Sequence, residues 1–315
     1  MLQFEPITLR HKPLFDKALR YNDIPSCDYS FATIYSWRQH YRSTVAAACG
    51  GLLLRFIDTD GLPCYAPPMG CTDDAAAINL LIDDAHDRGD VFRIGAATRQ
   101  LFAHLEEQLG HCLHLELSRD NAEYIYDRTA LASLSGRHLQ PKRNFVNRFV
   151  RQYLHYRTEA INSSNTDCCM QIYNTWLSRM TDRVPQTSTE AELADEKMSM
   201  TVALEHFDEL QLQGIVLYAD EQPAAFAFGE MLTADTFLTH AEKALVEFDG
   251  AYAMINKLTA TEVAVNARYI NREEDMGNAG LRKSKLSYYP ALLLEKGNIY
   301  LKDEYIHLPN SHSNG

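Results

Sequence analysis

The sequence predicts a mixed α and β architecture (α/β, α+β). Three observations predict it. The chain has 315 residues, room for two domains of about 150 residues each or for one large one. Helical and strand periodicities alternate through both halves instead of segregating. Between the halves lies RHLQPKRNFVNRFVRQYLHYR, Arg137 to Arg157, a run without an acid that reads as a long basic connecting helix.

In the first half, Pro13 to Arg20 and Phe31 to Tyr41 are helix-like, the latter with Trp37 and Tyr41 one turn apart. GGLLLRFIDTDGLPCYAP holds two apolar runs joined at Asp60-Gly61, a hairpin signal. Thr72-Asp-Asp-Ala starts a capped helix running to about Arg88, where Gly89 stops it. VFRIGAA is a strand, Thr98 to Leu109 a helix and CLHLEL a strand. Pro141 suits the first turn of a helix from Lys142 to Glu159. On it Phe145, Phe149 and Tyr153 make an aromatic stripe, with Arg148, Arg151 and His155 on a neighbouring face.

The second half opens with helical CMQIYNTWLSRM, polar VPQTSTEAELADE and helical MTVALEHFDEL. Strands GIVLYAD, AAFAFGEML and TFLTHAEK follow, the first two joined by a turn at Glu221-Gln222-Pro223. After Gly250 come the helix AYAMINKLTATEVAVN and the strand ARYINRE. The expected domain limits are 1–140, a connecting helix at 141–160, and 161–315, the last carrying the candidate site.

Composition bounds the function. With 46% hydrophobic and 23% charged residues and no stretch near 18 apolar residues, the chain reads as globular and without a membrane span. Its first residues lack a secretory signal, and its seven cysteines are odd in number and without a CxxC pair, so a reducing, cytoplasmic setting is expected. His111-Cys-Leu-His114, the metal-like cluster, lies in a strand pattern and reads as structural, so no metal is expected. A net charge of −12 argues against a surface coated with phosphate-binding groups. Contact with a phosphate backbone would concentrate in Arg137, Lys142, Arg143, Arg148 and Arg151.

Two stretches offer chemistry. His240 and Glu242 end an apolar strand, where alternation places both on one face and either could relay the proton an attacking amine must lose. Lys243 beside them suits a phosphate or carboxylate. In NREEDMGNAGLRKSKLSYYP, Glu273 to Asp275 would hold a cationic amine by charge-assisted bonds. Arg282, Lys283 and Lys285 would meet donor phosphates or an acidic acceptor, with Gly277 and Gly280 letting the chain fold back. Tyr288 is a candidate general acid and Tyr289 a packing residue. The expectation requires both charge sets to converge across one pocket with the His240 strand. VEFDGAYAM offers a lone Gly250 beside Asp249, a poor cradle for the pyrophosphate of CoA.

The element order of the second half, and more loosely of the first, is similar to that of a GNAT-type acyltransferase domain, which implies two tandem GNAT-like domains, each a mixed, largely antiparallel sheet flanked by helices, joined by the basic helix. SRDNAEYIYDRTALASLSGRHLQPKRNFVNRF, THAEKALVEFDGAYAMINK and NREEDMGNAGLRKSKLSYYP together resemble the signature of a bacterial family of unknown function related to the catalytic C-terminal part of phosphatidylglycerol lysyltransferases. The likeness runs from about Tyr29 onward. Relatives include the FemA/FemB-type transferases, tandem GNAT-like folds that use aminoacyl-tRNA. The resemblance implies transfer of an acyl or aminoacyl group to an amine or hydroxyl on a small molecule, peptide or lipid headgroup. Aminoacyl-tRNA or acyl-CoA would be the co-substrate, with no tightly bound cofactor, and Glu123, Tyr124 and Asn271 join the substrate-binding candidates. Two alternatives stay open: an acyl-CoA-dependent N-acyltransferase, and a non-catalytic module that binds tRNA or a small ligand.

Overall fold

The computed structural model describes residues 1–183 and 190–302; residues 184–189 of the polar VPQTSTEAELADE stretch lie outside them. The chain divides into two compact units that exchange segments: Met1–Asn22, Arg38–Ala122 and Glu295–Gly315 form one, Asp23–Trp37 and Glu123–Leu294 the other. No single cut separates them, and the basic helix falls inside the second.

The first unit holds β1 (Glu5–Pro6) and α1 (Lys12–Ala18). After α2 (Phe31–Trp37), which belongs to the second unit, come β2 (Thr44–Ala48), β3 (Gly51–Ile57), β4 (Pro63–Tyr65), α3 (Asp74–Arg88), β5 (Arg93–Thr98) and α4 (Arg99–Leu109). The Asp60-Gly61 turn brings Ile57 opposite Pro63. Asp73 caps α3 by accepting the Ala76 amide at 2.9 Å, and Gly89 at φ 73° closes it. The TVAAA strand β2, too poor in large apolar residues to stand out beforehand, pairs antiparallel with β3. Strands β1 to β4 are antiparallel neighbours, β5 lies parallel to β4 at Tyr65 and Ile94, and β12 (Leu292–Leu301) pairs antiparallel with β5. Leu53, Ile78, Leu81, Ile94, Leu105 and Ile299 fill the core.

β6 (Leu113–Asp127) passes from the first unit into the second. There follow α5 (Arg128–Ser133), α6 (Gln140–Gln152), β7 (Arg157–Ala160), α7 (Thr166–Arg183), α8 (Glu190–Glu205), β8 (Gln213–Ala219), β9 (Gln222–Met231), β10 (Thr236–Ala244), α9 (Ala251–Leu258), β11 (Tyr269–Asn271) and α10 (Ala279–Leu286). The pairing repeats that of the first unit. Strands β7 to β10 are antiparallel, β11 is parallel to β10, and the end of β6 is antiparallel to β11. This repeated order, four antiparallel strands, a parallel fifth and an antiparallel sixth, gives each unit the mixed, largely antiparallel sheet that was expected. In each unit the sixth strand comes from a distant part of the sequence.

Three local expectations fail for physical reasons. The basic helix stops at Gln152, because the next residues gain ladder bonds instead: Arg157–Ala160 pairs with β8, and Arg157 is held by Glu221 at 3.0 Å and lies over the Tyr218 ring. The β8–β9 turn is Asp220-Glu221, both at positive φ, which leaves Pro223 inside β9. The segment after the acidic run is not a simple loop but folds into α10, capped where Asn278 accepts the Leu281 amide at 3.0 Å.

Candidate functional site

β10 and β11 are paired over Thr236–Leu238 and Tyr269–Asn271 only. Beyond Leu238 and Asn271 the two chains separate, and the side chains on both sides of the gap carry the charges of the site.

On β10 the register slips between Thr239 and Ala241, so His240 is the extra residue of a bulge. Directly opposed residues share a face of a sheet. Ala241 opposes Phe228, while Glu242 opposes Ala227. His240 turns to the Phe228 side: its ring lies 6.4 Å from the Phe228 ring, its Nε2 is 3.1 Å from Glu230, and Thr33 of α2 is 3.4 Å from Nδ1. Glu242 turns to the other side and accepts from Asn256 of α9 at 3.0 Å. The expected sharing of one face by His240 and Glu242 is therefore overturned, since the bulge shifts alternation by one.

His240 lies between two carboxylates, Glu230 at 3.1 Å and Glu273 at 3.3 Å, and Ser30 donates to Glu230. Burial alone would lower the imidazole pKa, but the hydrogen bonds it donates to the two glutamates outweigh that and raise the value to about 9. At neutral pH His240 is a cation, unsuited to the proton-accepting role expected of it.

On the opposite face, Arg272 Nη2 meets Glu242 at 2.8 Å. Its guanidinium lies over Tyr126 and Tyr288, and Lys142 from α6 stacks on the same Tyr288 ring at 4.1 Å. Burial raises the Tyr288 pKa to about 12, so its phenol stays neutral. Burial, then the Arg272 charge, lowers that of Lys142.

Most of the polar segment from Asn271 onward is spent on structure. Asp275, fully buried, accepts from Arg282 at 2.6 and 2.9 Å and from Tyr124. Lys285 donates to the carbonyls of Arg272, Glu273 and Glu274, and burial pushes its pKa down to about 8. Asn271 donates to Pro25 and to Glu123, whose carboxylate also takes Ser26 Oγ at 2.6 Å and the Cys27 amide at 3.0 Å. The acidic and basic halves do converge, but on one another: Asp275, Arg282, Lys285, Asn271, Glu123 and Tyr124 hydrogen-bond within the chain and position the loop. Glu273 reaches the His240 site, and Lys283 is exposed. Lys243 is bound to Glu196 at 2.7 Å and lies 3.6 Å from the Trp176 ring centre.

The cationic stripe is likewise divided. Arg143 donates to the carbonyls of Leu134 and Gly136, and Arg148 pairs with Asp249 at 2.7 Å. Lys142 faces inward, leaving Arg137 and Arg151 on the surface. Gly250 caps α9 at φ 89°, and a Cβ there would stand 2.4 Å from the Phe145 carbonyl. The first turn of α9 is thus packed against α6 where a phosphate cradle would need open space.

Arg272, Glu230 and Asn256 were not singled out beforehand. Asn256 had a readable signal, a lone amide between Met254, Ile255 and Leu258 on an apolar helix; Glu230 had none, because only the bulge aims His240 at it. Cys27, Glu123 and Glu274 are close enough for one cation, though Glu123 is already satisfied by protein donors. His111 pairs with Glu106 and His114 stacks on Tyr300. A shallow depression bounded by Gln152, Leu154, His155, Asp220 and Glu221 contains none of the site residues.

The sequence model of a family described as phosphatidylglycerol lysyltransferase, C-terminal, matches residues 22–296. A solved conserved protein of unknown function from Bacteroides thetaiotaomicron VPI-5482 is 34% identical, covering 96% of this chain and 100% of that one, with a TM-score of 0.87. The C-terminal domain of a putative lysylphosphatidylglycerol synthetase from Agrobacterium fabrum (14% identity, 94% and 93% coverage, TM-score 0.65) and L-PGS from Bacillus licheniformis (14%, 90% and 95%, TM-score 0.58) share the fold. An uncharacterized protein of Mycoplasmoides gallisepticum (strain R(low / passage 15 / clone 2)) is 24% identical over 183 residues, 57% of this chain. The chain spans 56%, about half, of that curated relative's length. Among the described residues, no helix is long and apolar enough to cross a membrane.

Proposed function

The chain belongs to the family described as phosphatidylglycerol lysyltransferase, C-terminal, and from that premise we propose that it transfers an aminoacyl group from aminoacyl-tRNA to an amine or hydroxyl acceptor. Its relation to lysylphosphatidylglycerol synthetases supports an acyltransferase. The choice of donor rests on one observation, the sorting of charge across the gap between β10 and β11.

On one face two carboxylates, Glu230 and Glu273, surround a single imidazolium, leaving negative charge in excess. On the other, Lys142 and Arg272 lie over one Tyr288 ring and only Arg272 is paired, with Glu242, leaving positive charge in excess. An aminoacyl ester carries an ammonium one carbon from the reacting carbonyl, which the carboxylate-rich face suits. Acyl-CoA brings no such ammonium. Its pyrophosphate would also meet the packed Gly250 turn, where Phe145 fills the space.

In this reading the acceptor attacks the ester carbonyl and the ribose oxygen leaves. Most of the rate comes from holding the two reactants together. Neutral Tyr288 suits protonation of the leaving oxygen, and Glu242 suits receipt of the acceptor's proton; His240, as a cation, orients Glu230 and Glu273. Filter binding with charged and uncharged tRNA, beside thermal shift with acetyl-CoA, tests the proposal. Preference for charged tRNA supports it, and stabilisation by acetyl-CoA without tRNA binding contradicts it.

A further inference from the structure

Glu242 receives two hydrogen bonds that fix the side chains around it. Arg272 Nη2 lies 2.8 Å from one oxygen and Asn256 Nδ2 3.0 Å from the other. Reversing the Asn256 amide would set its oxygen against a carboxylate, so its orientation is determined by charge. What remains is Arg272 Nη1, a donor, and Asn256 Oδ1, an acceptor. Both atoms are buried and have no hydrogen-bond partner among the described residues. Asn256 is 2% exposed and the Arg272 side chain 12%. Groups this deep are almost always satisfied in a folded protein, so an unused donor and an unused acceptor on either side of one carboxylate call for an occupant.

Lys142 supplies a third feature. Its ammonium rests on the Tyr288 ring, 4.1 Å from the centre, with the Arg272 guanidinium 5.1 Å from the same ring. Among the described residues it makes no ion pair or hydrogen bond. Two cations on one ring, of which only Arg272 is paired with a carboxylate, leave room in the charge balance for one more anion.

We infer that Lys142, Arg272 and Asn256 form the acceptor subsite and that it takes a small amino acid. Its carboxylate lies between Lys142 and Arg272 Nη1, and its amine donates to Asn256 Oδ1 beside Glu242. The binding stands on the unsatisfied groups; only its meaning as an acceptor rests on the acyl-transfer reading above. In that reaction the amine, as the free base, bonds through nitrogen to the ester carbonyl carbon of the aminoacyl donor. The bond from that carbon to the ribose oxygen breaks, Tyr288 gives its proton to the departing oxygen, Glu242 takes the proton from nitrogen, and return of that proton from Glu242 to Tyr288 restores both groups. The products are an amide and uncharged tRNA, with no oxidant, reductant or further reactant.

Calorimetry on the whole chain without tRNA tests the subsite. Probes are glycine, L-alanine and L-lysine, set against trimethylglycine, which keeps both charges but has no N–H, glycine methyl ester, which has no carboxylate, inorganic phosphate and sn-glycerol 3-phosphate. The expected result is that at least one amino acid binds and that its trimethylated or esterified counterpart binds at least about tenfold more weakly. K142M and N256L should each weaken binding by a similar factor, and K142M should leave the melting temperature little changed, since the methionine side chain still covers the Tyr288 ring. The inference is overturned if no amino acid binds, if trimethylglycine binds as well as glycine, or if either phosphate binds more tightly. Amino acid binding without reaction or binding of charged tRNA would defeat the transfer reading and leave the subsite standing; tRNA-dependent transfer without amino acid binding would do the reverse.

Discussion

His240 Nδ1 lies 3.3 Å from Glu273, a carboxylate brought from the far side of the gap between two diverging strands. With Glu230 on the other nitrogen, this contact makes His240 a buried cation whose pKa is raised to about 9 from an ordinary value near 6.5. The stability it contributes is fully present below pH about 6.5 and is lost as pH rises through about 9. Melting temperature against pH should fall across that window in the wild type, and H240Q should flatten the fall. An unchanged slope in H240Q would mean that the imidazole is neutral in the folded protein.

Asp275 behaves in the opposite sense. Burial disfavours its charge, but hydrogen bonds from Arg282 and Tyr124 win and hold its pKa at about 2. Its contribution is present above pH about 4 and lost as pH falls toward 2. D275A removes one partner of a buried pair and should cost about 3 kcal/mol in denaturant unfolding.

Lys285 fastens the acidic loop through the carbonyls of Arg272, Glu273 and Glu274. K285M leaves those carbonyls without their donor and should cost about 2–3 kcal/mol. Because the loop carries Arg272 and Glu273, hydrogen exchange at 272–276 should rise and any transfer activity should fall with it.

G250A places a Cβ 2.4 Å from the Phe145 carbonyl and forces a non-glycine residue to φ 89°. Strain and overpacking together should cost roughly 2–4 kcal/mol, read as a lower melting temperature. A neutral outcome would mean that the first turn of α9 has room to spare, and with it room for a phosphate.

Much of the fold was legible because it is locally encoded. Asp60-Gly61, the Asp73 cap with Gly89, and Pro141 each act within a few residues of the structure they determine. The exchange of sixth strands was not, because β12 and the end of β6 pair with residues far away in sequence. His240, Glu242, Glu273 and Tyr288 could be named from chain position and side-chain type. The bulge that turns His240 away from Glu242 could not, since Thr239-His-Ala carries no glycine or other local mark. Likewise Lys285 and Arg282 looked like exposed phosphate ligands because charge alone does not tell whether its partner is a ligand or the chain itself.

The central claim is most directly tested by single-turnover transfer of a labelled amino acid from charged tRNA to a panel of amine and hydroxyl acceptors, with acetyl-CoA as an alternative donor. The account predicts label transferred from tRNA only, slowed by about 10–100-fold or more in E273Q and R272M, with no acetyl transfer. Acetyl transfer from CoA at a comparable rate, or tRNA-dependent transfer indifferent to both substitutions, would contradict it.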